Sequence, residues 1–225
     1  MAIGGIMELL TNVLGASSPL LLQGALVTMQ LWIASSLVSF IMGTLAGVFR
    51  CDRFRFAYLS SFLDSITFIF RGIPFYVHLL LAYFVVPSML GLRISAFVAA
   101  FISLGLCSGA YVSQMVRAGI NAIPIGQWEA AQVLGYSSIN TIRYIVIPQM
   151  MRIILPTLVT ECDQLLKSTS VISTIGVLEL TGAGRNIVAQ SMNPLTIYTT
   201  LALIYLSIST ILALISWWLE KRLSV

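Results

Sequence analysis

Charge is scarce in this chain: 9% of its 225 residues are Asp, Glu, Lys or Arg, against 58% that are hydrophobic. With a mean hydropathy of +0.97, there is too little polar surface to cover a water-soluble globule. A very apolar soluble helical domain is the other class that fits the composition. It lacks the several uninterrupted apolar runs of bilayer-spanning length, about 20 residues each, that are present here. Histidine is down to one residue, and the three cysteines, Cys51, Cys107 and Cys162, stand far apart. That spacing offers neither a metal site nor a paired disulfide, and the thiols read as small apolar fillers. The only lysines, Lys167 and Lys221, follow Leu166 and Glu220. A phosphate-cradling loop needs glycine directly before lysine, so neither lysine sits in such a loop, and this chain itself is expected to hold no cofactor. A formal charge of +4 and a pI of about 9.1 do not indicate nucleic acid, because the basic residues are scattered rather than clustered. Residues 1–18 lack a basic segment and carry Glu8, so no cleaved signal peptide is expected.

What is abundant is apolar length. Five runs, over about 20–49, 56–90, 94–116, 142–175 and 195–219, predict an all-α integral membrane protein in a single transmembrane domain, 1–225. At mid-bilayer only a helix satisfies its own backbone, and the alternation of a barrel strand is missing. Arg50, Arg53, Arg55, Arg117, Arg143, Lys221 and Arg222 fall on one side under five-span alternation, while Arg93 and Arg185 fall on the other. Positive charge marks the cytoplasmic side, so the expected topology has the N-terminus outside and the C-terminus in the cytoplasm. Trp217 and Trp218 suit the interfacial belt of the last helix. No internal repeat is visible, so a symmetric pore would require two chains. Gly43-x-x-x-Gly47 and Gly105-x-x-x-Gly109 permit close helix approach, although glycine-rich apolar helices also show this spacing by chance.

The longest cytoplasmic segment, 122–141, predicts a helical hairpin. Pro124 presets a first turn, 127–134 forms a short helix, and Gly135 supplies its left-handed end. Ser137 or Ser138 caps a second short helix running through Arg143. Ala130 and Ala131 together give a face of small residues suited to close docking.

Inside the spans, Thr160, Asp163, Gln164, Lys167 and Ser170 recur at helical spacing as one polar stripe, with Glu161 beside it. Intramembrane charges mark pathways or packing networks. Asp163 and Lys167 can neutralise each other at i and i+4, which leaves Glu161 freer for a cationic ligand. Asp64, Arg71 and His78 lie seven residues apart on one face of the second run, which Arg71-Gly72-Ile73-Pro74 interrupts. His78 reads as a packing residue more readily than as a proton relay, and Arg152 as a side chain snorkelling to the interface.

The hairpin residues Glu129-Ala130-Ala131, Gly135 and Ile145-Val146-Ile147-Pro148 resemble the EAA loop of importer permeases of the ATP-binding-cassette superfamily, with Ile147 where leucine is usual. Ser108-Gly109-Ala110-Tyr111, Arg117, Ile123-Pro124, Gly126-Gln127-Trp128, Phe70-Arg71-Gly72-Ile73-Pro74 and Leu165-Leu166-Lys167-Ser168-Thr169-Ser170 resemble the polar amino acid branch, the histidine/glutamine/arginine type. The resemblance runs over roughly 20–220. It implies a type I importer fold in the bacterial inner membrane, with an identical or homologous permease as dimer partner. It also implies two cytoplasmic ATPases docked through Glu129, Ala130, Ala131 and Gly135, and an external solute-binding protein. The substrate pathway would include Glu161, Asp163, Gln164, Lys167, Arg71 and His78. The chain departs from the branch at Asp163, where no acid is usual, at Ser168, where aspartate is, and at His78, where glutamine is. The acids favour a basic amino acid, with glutamine or another neutral polar one as the alternative. Two remoter classes are a self-sufficient carrier or channel and a non-transporting scaffold.

Overall fold

The computed structural model describes the backbone of residues 2–54 and 56–223, and the side chains of residues 15, 18–54 and 56–222. Arg55, used above for orientation, and the Glu8 side chain, used above against a signal peptide, lie outside the described residues.

The described residues form eight α-helices: α1 (Ala2–Arg50), α2 (Ala57–Gly72), α3 (Phe75–Leu90), α4 (Ala96–Asn121), α5 (Ile125–Val133), α6 (Ser138–Ile175), α7 (Leu180–Ser191) and α8 (Pro194–Leu223). Described strands are absent. Within α1, α4, α6 and α8 there are stretches long and apolar enough to cross a bilayer, and α2 with α3 makes a fifth candidate crossing bent by 104°. The bend falls at Ile73–Pro74. Pro74 has no N–H to extend α2, and the residue before a proline is driven out of the helical region; Ile73 is extended there at φ −100°, ψ 135°.

Three apolar clusters hold the bundle. Val112, Val116, Met150 and Ile154 pack with Cys51 and Trp128 at the hairpin end. Leu31, Leu79, Leu104, Leu165 and Ile172 fill the middle. Leu21, Leu180, Ile187 and Leu201 close the opposite end.

Helices α1 and α4 approach closely, and both glycine pairs lie between them. A Cβ on Gly43 would sit 2.6 Å from Val112 Cβ and 2.7 Å from the Gly109 carbonyl oxygen. One on Gly47 would sit 2.7 Å from Val116 Cβ, while Gly105 and Gly109 face Val38 and Ser39. At Gly43 and Gly47 no side chain fits without a neighbouring backbone or side chain moving. Gly43→Val is therefore expected to destabilise the bundle by about 1–3 kcal/mol or more. The check is the thermal unfolding midpoint in detergent, with Gly15→Val as control because Gly15 has open space around it. Equal effects of the two substitutions would refute the contact.

Two of the expected boundaries shift. The helix expected to run from about 138 through Arg143 does not stop there. Ser137 caps it, accepting from the Asn140 N–H, and it continues without a break as α6 to Ile175. Nothing between them ends a helix, and Pro148 is accommodated by a π-turn over Ile142–Val146. The short helix before it is Ile125–Val133, starting two residues earlier than expected because Pro124 occupies the N-cap.

Candidate functional site

A cavity of about 380 Å³ opens between α4, α6 and the start of α3. Ser108 and Tyr111 reach it from α4, and Glu161, Gln164 and Ser168 from α6, with Phe75 at the α3 end. These positions on α6 recur every three or four residues, so one face of a continuous helix presents them together. Among the described residues no cation pairs with the Glu161 carboxylate. A second cavity of about 240 Å³ shares Phe75, Cys107 and Tyr111 with the first and is lined by Arg71, Gly72 and Pro74. The Arg71 guanidinium lies 5.5 Å from the Tyr111 ring centroid. The paired cavities thus carry a carboxylate at one end and a guanidinium at the other.

The expected single stripe on α6 divides in two. Asp163 and Thr160 line a separate cavity of about 350 Å³ against Ser209, Ser216 and Trp217 of α8. Asp163 is there paired with Lys167, which donates to its Oδ2. The cause is angular: Asp163 is two residues from Glu161, so about 200° around the helix. Asp163 and Lys167 are thereby removed from the wall that Glu161 and Gln164 share.

The grouping of Asp64, Arg71 and His78 on one helical face is also corrected, because the 104° bend separates Arg71 from His78. His78 is buried, stacked on Phe70 with ring centroids 4.8 Å apart, and lines neither of the paired cavities. Asp64 instead accepts from Arg50 Nε at 2.7 Å and from Arg117 Nη1 at 3.2 Å. Arg50 is buried, and its other nitrogens donate to Ser113 Oγ at 2.8 Å and Gln114 Oε1 at 3.2 Å. In the sequence Arg50 counts only as one of the basic residues that set orientation, whereas it is the last residue of α1. Its position directly after an apolar run, with Asp64 the sole acid in the next run, was the available signal.

Glu179, between α6 and α7, went unnoticed for want of any local pattern. It is fully buried and caps α7, accepting from the N–H groups of Gly182 at 2.7 Å and Thr181 at 2.9 Å. The Tyr205 hydroxyl donates to it from α8 at 3.2 Å. Burial pushes its carboxyl above the ordinary range even though these donors pull the other way.

At the opposite end of the bundle α5 and the start of α6 form the hairpin. Gly135 adopts φ +75°, its N–H bonds to the Gln132 carbonyl, and the Tyr136 N–H bonds to the Ala131 carbonyl. These are the two bonds of a Schellman close, which requires the left-handed residue. Glu129 and Ala130 are exposed, whereas Ala131 is buried. Adjacent helix positions differ by about 100°, so the expected two-alanine face is corrected: Ala130 is open and Ala131 packs inward. Val133, Leu134 and Ile139 stand out at the tip with 87%, 73% and 75% exposure, too apolar for a surface meant to meet only water.

A helical membrane bundle with a mixed polar and apolar cavity in its middle and a projecting apolar-tipped hairpin fits the membrane component of a transporter. The chain belongs to the family of binding-protein-dependent transport system inner membrane components, which matches residues 39–225. It is 33% identical over 206 residues to the arginine transport system permease protein ArtQ of Bacillus subtilis, covering 91% of this chain and 93% of that one. It is 31% identical over 205 residues to a protein of Rickettsia bellii named as a putative glutamine transport system permease, GlnP, with the same coverage. A solved amino acid ABC transporter described with histidines superposes with a TM-score of 0.83 at 30% identity, covering 91% of this chain and 94% of that one. The fold is that of a type I ABC importer transmembrane domain.

Proposed function

We propose that this chain is the permease subunit of an ATP-driven importer for polar amino acids, and that its substrates are the basic ones, arginine, lysine and histidine. The observation that carries the reading is the Glu161 carboxylate, which lines the 380 Å³ cavity with Gln164, Ser108 and Ser168. That volume lies within the about 300–1,000 Å³ of small-molecule sites. A carboxylate exposed to a cavity at membrane depth is costly unless it meets a cation. Arg71 on the adjoining cavity supplies the opposite charge for an α-carboxylate, with the start of α3 beside it. Relatives named for arginine and for glutamine support the amino acid class without choosing within it.

In this reading two permeases, identical or homologous, form the pathway, and an external binding protein delivers substrate. Two cytoplasmic ATPases bind ATP–Mg and grip the hairpins at Glu129, Ala130 and Gly135, with the C-terminus on their side of the membrane and the N-terminus outside. The chain makes and breaks no bonds. Its part is to bind, to open on alternate sides, and to receive displacement through a rigid lever.

The test is the complex purified with its bound partners, reconstituted in vesicles, and assayed for ligand-stimulated ATP hydrolysis across the amino acids. Stimulation by arginine, lysine or histidine is expected. Stimulation by glutamine alone would move the substrate to the neutral polar class, and uptake without any ATPase would refute the importer.

A further inference from the structure

We propose that Trp128 is the positioning residue through which the hairpin moves the turn between α1 and α2, so that displacement enters the bundle by a route additional to the chain continuity of α4, α5 and α6. The proposal rests on the coupling role given to the hairpin above.

Trp128 points away from the exposed side of α5, with its indole 6% exposed. The Arg53 guanidinium lies over the ring, 4.6 Å from its centroid. Phe54 meets it edge-on at 6.0 Å and 61°. Both belong to the single 3-10 turn, Asp52–Phe54, that links α1 to α2. The same turn is tied a second time at the hairpin's root. The Asp52 N–H donates to Asn121 Oδ1 at 3.2 Å, and Asn121 Nδ2 donates to Asp52 Oδ2 at 2.9 Å. The aromatic contacts tie the turn to α5 and the paired hydrogen bond ties it to the end of α4, so a displacement of α5 against α4 loads the turn between them.

What lies beyond the turn gives the motion a destination. Arg50, two residues before it, is anchored to Asp64 in α2 and to Ser113 and Gln114 in α4. From Asp64, α2 runs as an unbroken helix to Gly72, and the arginine at its end, Arg71, stands at the cavity. The contacts Trp128 to Arg53 and Phe54, Arg50 to Asp64, and α2 to Arg71 therefore form a continuous path between the cytoplasmic lever and the pathway wall. Packed elements of this kind transmit displacement because they have little room to deform.

The experiment uses the whole complex in vesicles and compares Trp128→Ala, Trp128→Phe, Arg53→Gln and Glu129→Ala. The readouts are insertion, bound ATPase, and the ratio of binding-protein-stimulated to basal ATP hydrolysis. Trp128→Ala and Arg53→Gln are expected to keep the ATPase and basal hydrolysis while lowering that ratio by about fivefold, a size typical of residues along a coupling path. Trp128→Phe, which keeps an aromatic face for Arg53, is expected to restore most of it. A purely structural role would reduce the amount of complex and leave the ratio unchanged. If Trp128→Ala does not insert, Arg53→Gln decides, because that side chain is exposed and its loss empties no core. An unchanged ratio in Arg53→Gln and in any inserted Trp128→Ala, beside a reduced one in Glu129→Ala, would overturn this route and leave the hairpin's coupling role standing. An unchanged ratio in all of them would overturn both.

Discussion

Gly135→Val is expected to leave the protein inserted in the membrane while lowering transport-coupled ATP hydrolysis by roughly tenfold, since forcing an L residue into the left-handed region costs about 1–2 kcal/mol and valine more. Gly135 sits at φ +75° and closes α5 with bonds to Gln132 and Ala131. Valine there either strains the turn or opens it, and in both cases the angle between α5 and α6 changes. Space is not the obstacle, because a Cβ at Gly135 would meet nothing within 4 Å. The effect should thus be confined to the hairpin, with the bundle intact. Glu129→Ala acts on the same function by a different means, removing an exposed charge able to pair with a basic group or cap backbone donors on a partner. Flotation of vesicles measures insertion, co-purification measures the ATPase, and hydrolysis with and without substrate measures coupling. Unaltered coupling in both variants would discredit the assignment of the hairpin.

The second large effect is expected at Glu161. Glu161→Gln keeps the shape of the side chain and removes its charge, so uptake of arginine or lysine should fall by about tenfold or more, equivalent to about 1.4 kcal/mol of lost charge-assisted binding. Neutral polar amino acids should lose much less. Asp163→Asn is the internal comparison. Asp163 faces α8 and is already paired with Lys167, and Lys167 is half-exposed, so its loss should leave substrate preference unchanged. Competition uptake with labelled arginine against lysine, histidine and glutamine reads both. An unaltered preference in Glu161→Gln would remove the ligand role, and an equal change in Asp163→Asn would mean the α6 acids act together.

The sequence made the membrane class and the hairpin legible because both depend on local signals. Apolar run length gave the crossings, and Pro124, Gly135 and Ser137 are punctuation whose geometry is dictated by the residue itself. What escaped was whatever depends on rotation or on distance along the chain. Asp163 and Glu161 are near neighbours in sequence, yet they end on opposite sides of α6. Ala130 and Ala131 part in the same way. The pairing of Asp64 with Arg50 and Arg117 joins three helices, and its only signal is faint, an arginine directly after one apolar run and a lone acid in the next. Glu179 lies in a connection, where an acid ordinarily meets water, and the packing of α1, α7 and α8 around it makes it a buried cap.

The bend between α2 and α3 bears on how the protein is made. Each arm has 16 residues, about 24 Å of helix, which is short of the about 30 Å hydrocarbon thickness. Each arm alone is therefore mismatched to the bilayer, a cost met by local thinning or by association with other helices. The two arms are expected to integrate as one unit, and a chain truncated after Gly72 should integrate its first arm less completely than the full chain does.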